Sequence, residues 1–215
     1  MTRLQGDFSN PYLELWEKLE ASQPMPTYSS SVQTMDYSEF ASKVFAADPN
    51  FVRGTVEYLY AGGAYILKNS MNPDVCKSII DKSIEIGKSS KSKFHKMEDG
   101  CPNFNKIIDL AEAEKYSTKA IKHSYYFFRW NNDPIGIWDL VTPLWRTFKY
   151  VGGFAEDAYE KNVPSNGTVD RLQVVRYPSG GGDLKNHVDA HHNQRLIMGV
   201  MMSRRSIDYQ QGGFY

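Results

Sequence analysis

The feature that most limits what this chain can fold into is a change of apolar period near Thr168. Before it, the clearest apolar runs recur at helical spacing; after it, apolar and polar residues alternate. Asn10-Pro11 reads as a helix cap with proline at the first helical position, and Leu13, Trp16 and Leu19 follow it three apart. Residues 169–177, 186–190, 195–203 and 209–215 read as four strands separated by turns. Helices first and strands later predict an α+β protein.

The middle of the chain fills in this outline. Residues 22–31, rich in Pro and Ser, form a linker, and a helix is expected over 37–47 with Phe40, Val44 and Phe45 on its buried side. A short β-rich run follows Gly62-Gly63. Asn72-Pro73-Asp74 then opens a helix carrying Val75, Ile79, Ile80 and Ile84, with Gly87 as its stop. Residues 88–96 hold lysines and serines without periodicity and read as a mobile solvated loop. An aromatic strand is expected over 123–130. A helix is expected over 135–159, interrupted at Pro143 or at Gly152-Gly153.

Charge and hydropathy exclude several functions. Lys+Arg and Asp+Glu both number 25 among 215 residues, so no whole-molecule field attracts nucleic acid. The longest apolar run, near residues 196–202, falls far short of the roughly 20 residues that span a bilayer, so no membrane partner is expected. Residues 1–7 hold no apolar signal core. Cys76 and Cys101 are the only cysteines, too few for a disulfide framework and suited to a reducing cytoplasm. The reading is a cytoplasmic domain.

The densest set of potential ligands is His187-Val188-Asp189-Ala190-His191-His192. On a strand, residues i and i+2 share a face about 6–7 Å apart, so His187 and Asp189 can converge on one ion. Imidazole nitrogen with carboxylate oxygen suits iron(II) or manganese better than a thiolate-seeking metal. Upstream, Arg171, Gln173, Val175 and Tyr177 alternate onto one face. Pro178, Ser179 and Gly180 to Gly182 then turn the chain before the His187 strand. His191 and His192 read as substrate-side or solvent residues, and His95 and His123 as structural ones.

This order of Tyr177-Pro178, Gly180-Gly181-Gly182, His187-Val188-Asp189, an apolar strand and Gly212-Gly213 resembles the iron(II)- and 2-oxoglutarate-dependent dioxygenases, in their prolyl-4-hydroxylase-like branch. The resemblance spans roughly residues 62–215 and is strongest over 171–215. It implies a double-stranded β-helix (jelly-roll) core after a helical N-terminal part, with residues 1–60 as a helical extension and 61–215 as a partial oxygenase domain. By the same resemblance His187 and Asp189 are metal ligands and Tyr177 faces the cosubstrate. The cofactors are Fe(II) and 2-oxoglutarate, with ascorbate as an optional reductant, and the substrate is a small molecule or a peptide. Oligomeric state is not legible.

The chain departs from that pattern at its end. The family has a second ligand histidine, and beyond it a basic residue for the distal carboxylate of 2-oxoglutarate. Both normally follow the glycine pair, and they are therefore expected beyond Tyr215. Four late strands with one or two earlier ones also leave a jelly roll incomplete at its C-terminus. The reading favours a fragment of a longer protein, ahead of a degenerate copy or a site completed by another residue or chain. Two other functions compete: a zinc hydrolase using the His187–His192 cluster, and an inactive jelly-roll interaction or structural protein.

Overall fold

A computed structural model describes residues 10–24, 26, 28–115, 120–180, 182–184 and 195–210. They divide into two units. The first takes in the described residues up to Asn72, Asp139–Ala158 and the described part of Gln194–Met198. The second takes in Pro73–Trp138 and the described parts of Tyr159–Asn193 and Gly199–Tyr215. The first break between the units falls after Asn72, and later chain returns to complete the first unit.

In the first unit, Asn10 starts α1 (Pro11–Ser22): its Oδ1 accepts from the Tyr12 and Leu13 amides at 2.8 and 3.4 Å. Its Nδ2 donates to the Tyr150 and Phe154 carbonyls at 2.9 and 3.0 Å, so this buried amide is fully satisfied. Trp16 Nε1 donates to the Val151 carbonyl at 2.7 Å. Of the expected Leu13, Trp16 and Leu19 stripe, Trp16 is buried and Leu19 packs on the core, while Tyr12 rather than Leu13 joins them, with Phe40, Val44, Val56 and Val151.

Strand β1 (Ser31–Asp36) pairs in parallel with β2 (Gly63–Lys68), Ser31 opposite Gly63 and Asp36 opposite Lys68. Parallel neighbours need a crossover rather than a tight turn. Helices α2 (Tyr37–Ala46) and α3 (Pro49–Tyr60) supply it, each started by an aspartate, Asp36 and Asp48. Along β2, Tyr65 and Leu67 pack on the core while Ile66 is exposed, the alternation a one-sided strand requires. Phe45, expected inside, is 45% exposed and stacks on Tyr150 at 5.6 Å. The buried stripe of α2 runs through Phe40 and Val44, four residues apart, and one further residue rotates Phe45 about 100° off it.

Asp36 makes a checkable acid-sensitive joint. Asn69 Nδ2 donates to its carboxylate at 2.8 Å, and the Ser38 hydroxyl and amide donate at 2.7 and 2.9 Å. These bonds, Asn69 first, hold its pKa at about 2 against an ordinary 3.8. A depressed folded-state pKa means the contribution is complete above 3.8 and lost as pH falls through 2. A carboxyl titration by NMR should give Asp36 a midpoint near 2, and Asn69→Ala should move that midpoint upward.

Helix α6 (Ile137–Val151) starts where Asp133 Oδ2 accepts from the Trp138 amide at 2.8 Å. It runs through Pro143, which forfeits one intrahelical bond, and ends at Gly152-Gly153. There the Phe154 amide turns back to the Lys149 carbonyl at 2.8 Å, with Gly153 at φ 83°. The expected helix over 135–159 is therefore cut at its glycines and not at its proline.

In the second unit, α4 (Pro73–Ser89) starts at the expected proline and runs past Gly87. A single glycine costs only about 1 kcal/mol in a helix, too little to end one. The core of the unit is an antiparallel layer in the order β3 (Phe104–Ile108), β4 (Ala120–Phe128), β5 (Arg171–Arg176), with α5 (Leu110–Ala113) after β3 and β6 (Asp183–Leu184) also paired to β4. Residues 88–96, expected to be a mobile loop, are tied to β3. The Lys93 amide donates to the Asn105 carbonyl at 2.8 Å, and the Ile107 amide to Ser92 Oγ at 3.0 Å.

Among the described residues the strands form a two-stranded and a four-stranded sheet, with six α-helices and no closed barrel: the architecture is mixed α+β. Strands β1 and β3 lie where none was expected. Residues 195–203, expected as a strand, form none. They alternate exposed and half-buried side chains as extended chain does, but no described strand pairs with them. Arg195 is instead fixed to Glu20 by two bonds of 2.7 and 3.1 Å and to the Gly152 carbonyl at 3.0 Å. Of the strands expected over 186–190 and 209–215, the first lies outside the described residues, and the second is described only at Tyr209, bridged to Arg205, and Gln210. No helix among the described residues is long and apolar enough to cross a membrane.

Candidate functional site

The register of the second unit's sheet decides which side chains share a face. Arg171 lies opposite Phe128, Gln173 opposite Tyr126 and Val175 opposite Ser124. On the other side of β4, Phe104 lies opposite Tyr126, Lys106 opposite Ser124 and Ile108 opposite Lys122. Directly opposed residues point the same way. One face of the layer therefore carries Lys106, Lys122, Ser124, Tyr126, Arg171 and Gln173 together with Ile108 and Val175, with an aromatic end at Phe104 and Phe128. The reverse face carries Asn105, Ile107, His123, Tyr125, Phe127, Leu172, Val174 and Arg176, and on it burial pushes the Tyr125 phenol up. The expected sharing of a face by Arg171, Gln173 and Val175 holds within β5.

Several contacts hold the first of these faces in shape. The Phe104 and Tyr126 rings stack at 4.5 Å, and the Arg171 guanidinium sits 5.6 Å from the Tyr126 ring. Lys106 Nζ lies 3.2 Å from Glu112 and 5.8 Å from the Phe94 ring. Lys115 and Lys106 together hold the Glu112 carboxyl below its ordinary range. At the strand ends, Arg129 Nε donates to Asp170 at 2.7 Å, next to the Phe128–Arg171 pair, and so pins the β4–β5 register. The Arg129 guanidinium also lies 4.3 Å from the Trp138 ring.

Tyr177 follows β5 directly and is 46% exposed. The loop after it closes on itself: the Gly182 amide donates to the Pro178 carbonyl at 2.8 Å, and Gly180 has φ 79°. A Cβ on Gly182 would stand 2.6 Å from Tyr177 Cβ and 2.7 Å from the Pro178 nitrogen, so only glycine permits this approach. The turn does not send the chain back. β5 and β6 both run antiparallel to β4, along residues 123–128 and then 120–121, so the chain resumes its former direction after the loop.

His187 and Asp189, with His191 and His192, lie outside the described residues. Among the described residues no three His, Cys, Asp or Glu side chains gather as metal ligands. The other two histidines have structural surroundings: His95 packs at 5.6 Å from the Phe104 ring, and His123 lies opposite Ile107 and Arg176 on the reverse face. Sequence reading puts Tyr177 on the face of Arg171, Gln173 and Val175, but β5 and its pairing with β4 end at Arg176, one residue before it. The aromatic run of residues 123–128 marks a strand, yet which of its sides meets Gln173 depends on pairing with β5. Compared with protein-family models, with curated proteins and with solved structures, the chain matches none.

Proposed function

We propose that this chain is an iron(II)- and 2-oxoglutarate-dependent oxygenase that hydroxylates a C–H bond of a peptide or small-molecule substrate. Its core is a jelly roll of which β3, β4, β5 and β6 form part of one sheet. The observation that carries the reading is the run from Gln173 to Asp189. A strand that places Arg171 and Gln173 on one sheet face is followed by a tyrosine, a closed glycine loop, a resumed strand, and then His187-Val188-Asp189.

The donor set fits ferrous ion, since one imidazole and one carboxylate offer nitrogen and oxygen without thiolate. His187 and Asp189 would hold the metal, and the Tyr177 phenol would hydrogen-bond to 2-oxoglutarate. When bound, metal and cosubstrate supply the oxidation, with 2-oxoglutarate decarboxylated to succinate as the substrate is hydroxylated. The protein's part is to hold, orient and exclude water, and no general base is needed. Gly182 fixes the backbone at Tyr177, and the Arg129–Asp170 pair keeps Gln173 in register.

The test is thermal and chemical. Manganese(II) or iron(II) with 2-oxoglutarate should raise the melting temperature, because a ligand of the native state stabilises by mass action. Iron, 2-oxoglutarate and oxygen should yield succinate. Retained zinc with no succinate would instead favour the hydrolase, and no response to metal or 2-oxoglutarate would favour a non-catalytic scaffold.

A further inference from the structure

In a chain of zero formal net charge, residues 88–97 (Lys-Ser-Ser-Lys-Ser-Lys-Phe-His-Lys-Met) gather four lysines and no acid, between Glu85 and Glu98. Lys88, Lys91, Lys93 and Lys96 are all exposed. Lys43, Lys77, Lys106 and Lys115 each meet a carboxylate, whereas among the described residues these four meet none. The stretch is anchored: the Lys93 amide donates to the Asn105 carbonyl of β3, and Ser92 Oγ accepts from the Ile107 amide. Two large apolar side chains stand in the open among the lysines. Phe94 is 70% exposed, meeting the Phe104 ring edge-on at 6.3 Å, and Met97 is 47% exposed. Lysines beside a sheet edge guard it against unwanted pairing, but a guard needs no exposed phenylalanine.

We propose that this stretch is an attachment surface for an anionic lipid bilayer. The four ammonium groups would lie against acidic headgroups, and Phe94 and Met97 would enter the acyl boundary. The expectation of no membrane partner rests on the lack of a spanning run, which bears on crossing a bilayer and not on lying against one. A bilayer is a plane and asks for no pocket, which suits side chains that protrude. Charge attraction acts over about a screening length, roughly 10 Å, so the lysines need not converge on one point. Nucleic acid matches the charge, but its bases stack on flat rings, and one phenylalanine beside a flexible thioether is a poor platform. A purely acidic peptide would leave both apolar side chains in water. The surface stands independently of the oxygenase reading.

Co-sedimentation of the full chain with sucrose-loaded vesicles tests it. Phosphatidylcholine vesicles holding about 30% phosphatidylserine should bind the chain far better than phosphatidylcholine alone. Binding should fall away between roughly 0.1 and 1 M salt, as the screening length shrinks to about 3 Å. Each neutralised lysine should cost about fivefold, so Lys91→Gln with Lys93→Gln should weaken binding by about 25-fold. Removing the same charge elsewhere, by Lys18→Gln with Lys68→Gln, should leave binding near the parent's. Phe94→Ser should weaken it, and Phe94→Trp should retain it. All of these side chains are exposed, so each variant should keep the parent's melting temperature. No preference for phosphatidylserine, or equal losses from the two lysine pairs, overturns the surface. So does a single-stranded oligonucleotide or polyglutamate bound through Lys91 and Lys93 by a chain that ignores the vesicles.

Discussion

Replacing His187 or Asp189 with alanine should lower iron(II) affinity by on the order of 100-fold or more. Loss of even an outer contact to a metal ligand costs 10- to 100-fold, and here a direct donor is removed. Under the proposed function, either variant should also stop succinate formation. The β3–β4–β5 pairing is made by other residues, so the melting temperature in EDTA should stay near that of the parent chain. The measurement is an anaerobic iron titration of both variants beside Tyr177→Phe. The phenylalanine variant should bind iron normally and weaken only the response to 2-oxoglutarate. Parent-like iron affinity in both alanine variants would end the oxygenase reading.

The largest loss of stability is expected at Arg129. Its side chain is 14% exposed and its partner Asp170 only 3%, with Nε and Oδ2 2.7 Å apart. Arg129→Met leaves that carboxylate in the interior without its cation, a change that costs about 3–5 kcal/mol. For a chain of this size that corresponds to a fall in melting temperature of roughly 6–20 °C. Adding Asp170→Leu should recover only part of the loss, because it removes one costly carboxylate while Glu160, 3.8 Å from the Arg129 guanidinium and 13% exposed, still loses this cation. Thermal and urea unfolding of the single and double variants checks this. A single variant within about 1 kcal/mol of the parent would mean that the pair is hydrated as a surface pair is.

Local chemistry made a good part of the fold legible. Asn10-Pro11 and the α1 stripe, Pro73 at the start of α4, the glycine end of α6, and strands β2, β4 and β5 each carry their signal within a few residues. Strand β1 carries little of it, because only Val32 and Met35 in Ser-Val-Gln-Thr-Met-Asp are large and apolar. It is a strand because β2, brought alongside by two helices, supplies its hydrogen bonds. β3 is similar, with Asn105 and Lys106 breaking its apolar run while β4 pairs all five residues. Residues 195–203 show the converse, an alternating pattern with no partner strand among the described residues.

Caps, periodicities and the His187-x-Asp189 spacing depend on neighbours in the chain, so the amino-acid order alone determined them. The α+β class, most helix starts, and the choice of Tyr177, His187 and Asp189 as site residues all came from that order. Only the tertiary structure decided that Ser124 and Lys122 share a face with Gln173, that the loop after Tyr177 sends the chain onward, and that Arg129 meets Asp170. Those facts depend on strand register, which is set by hydrogen bonds between residues tens of positions apart. A slip of one residue would turn every side chain of β5 to the opposite face.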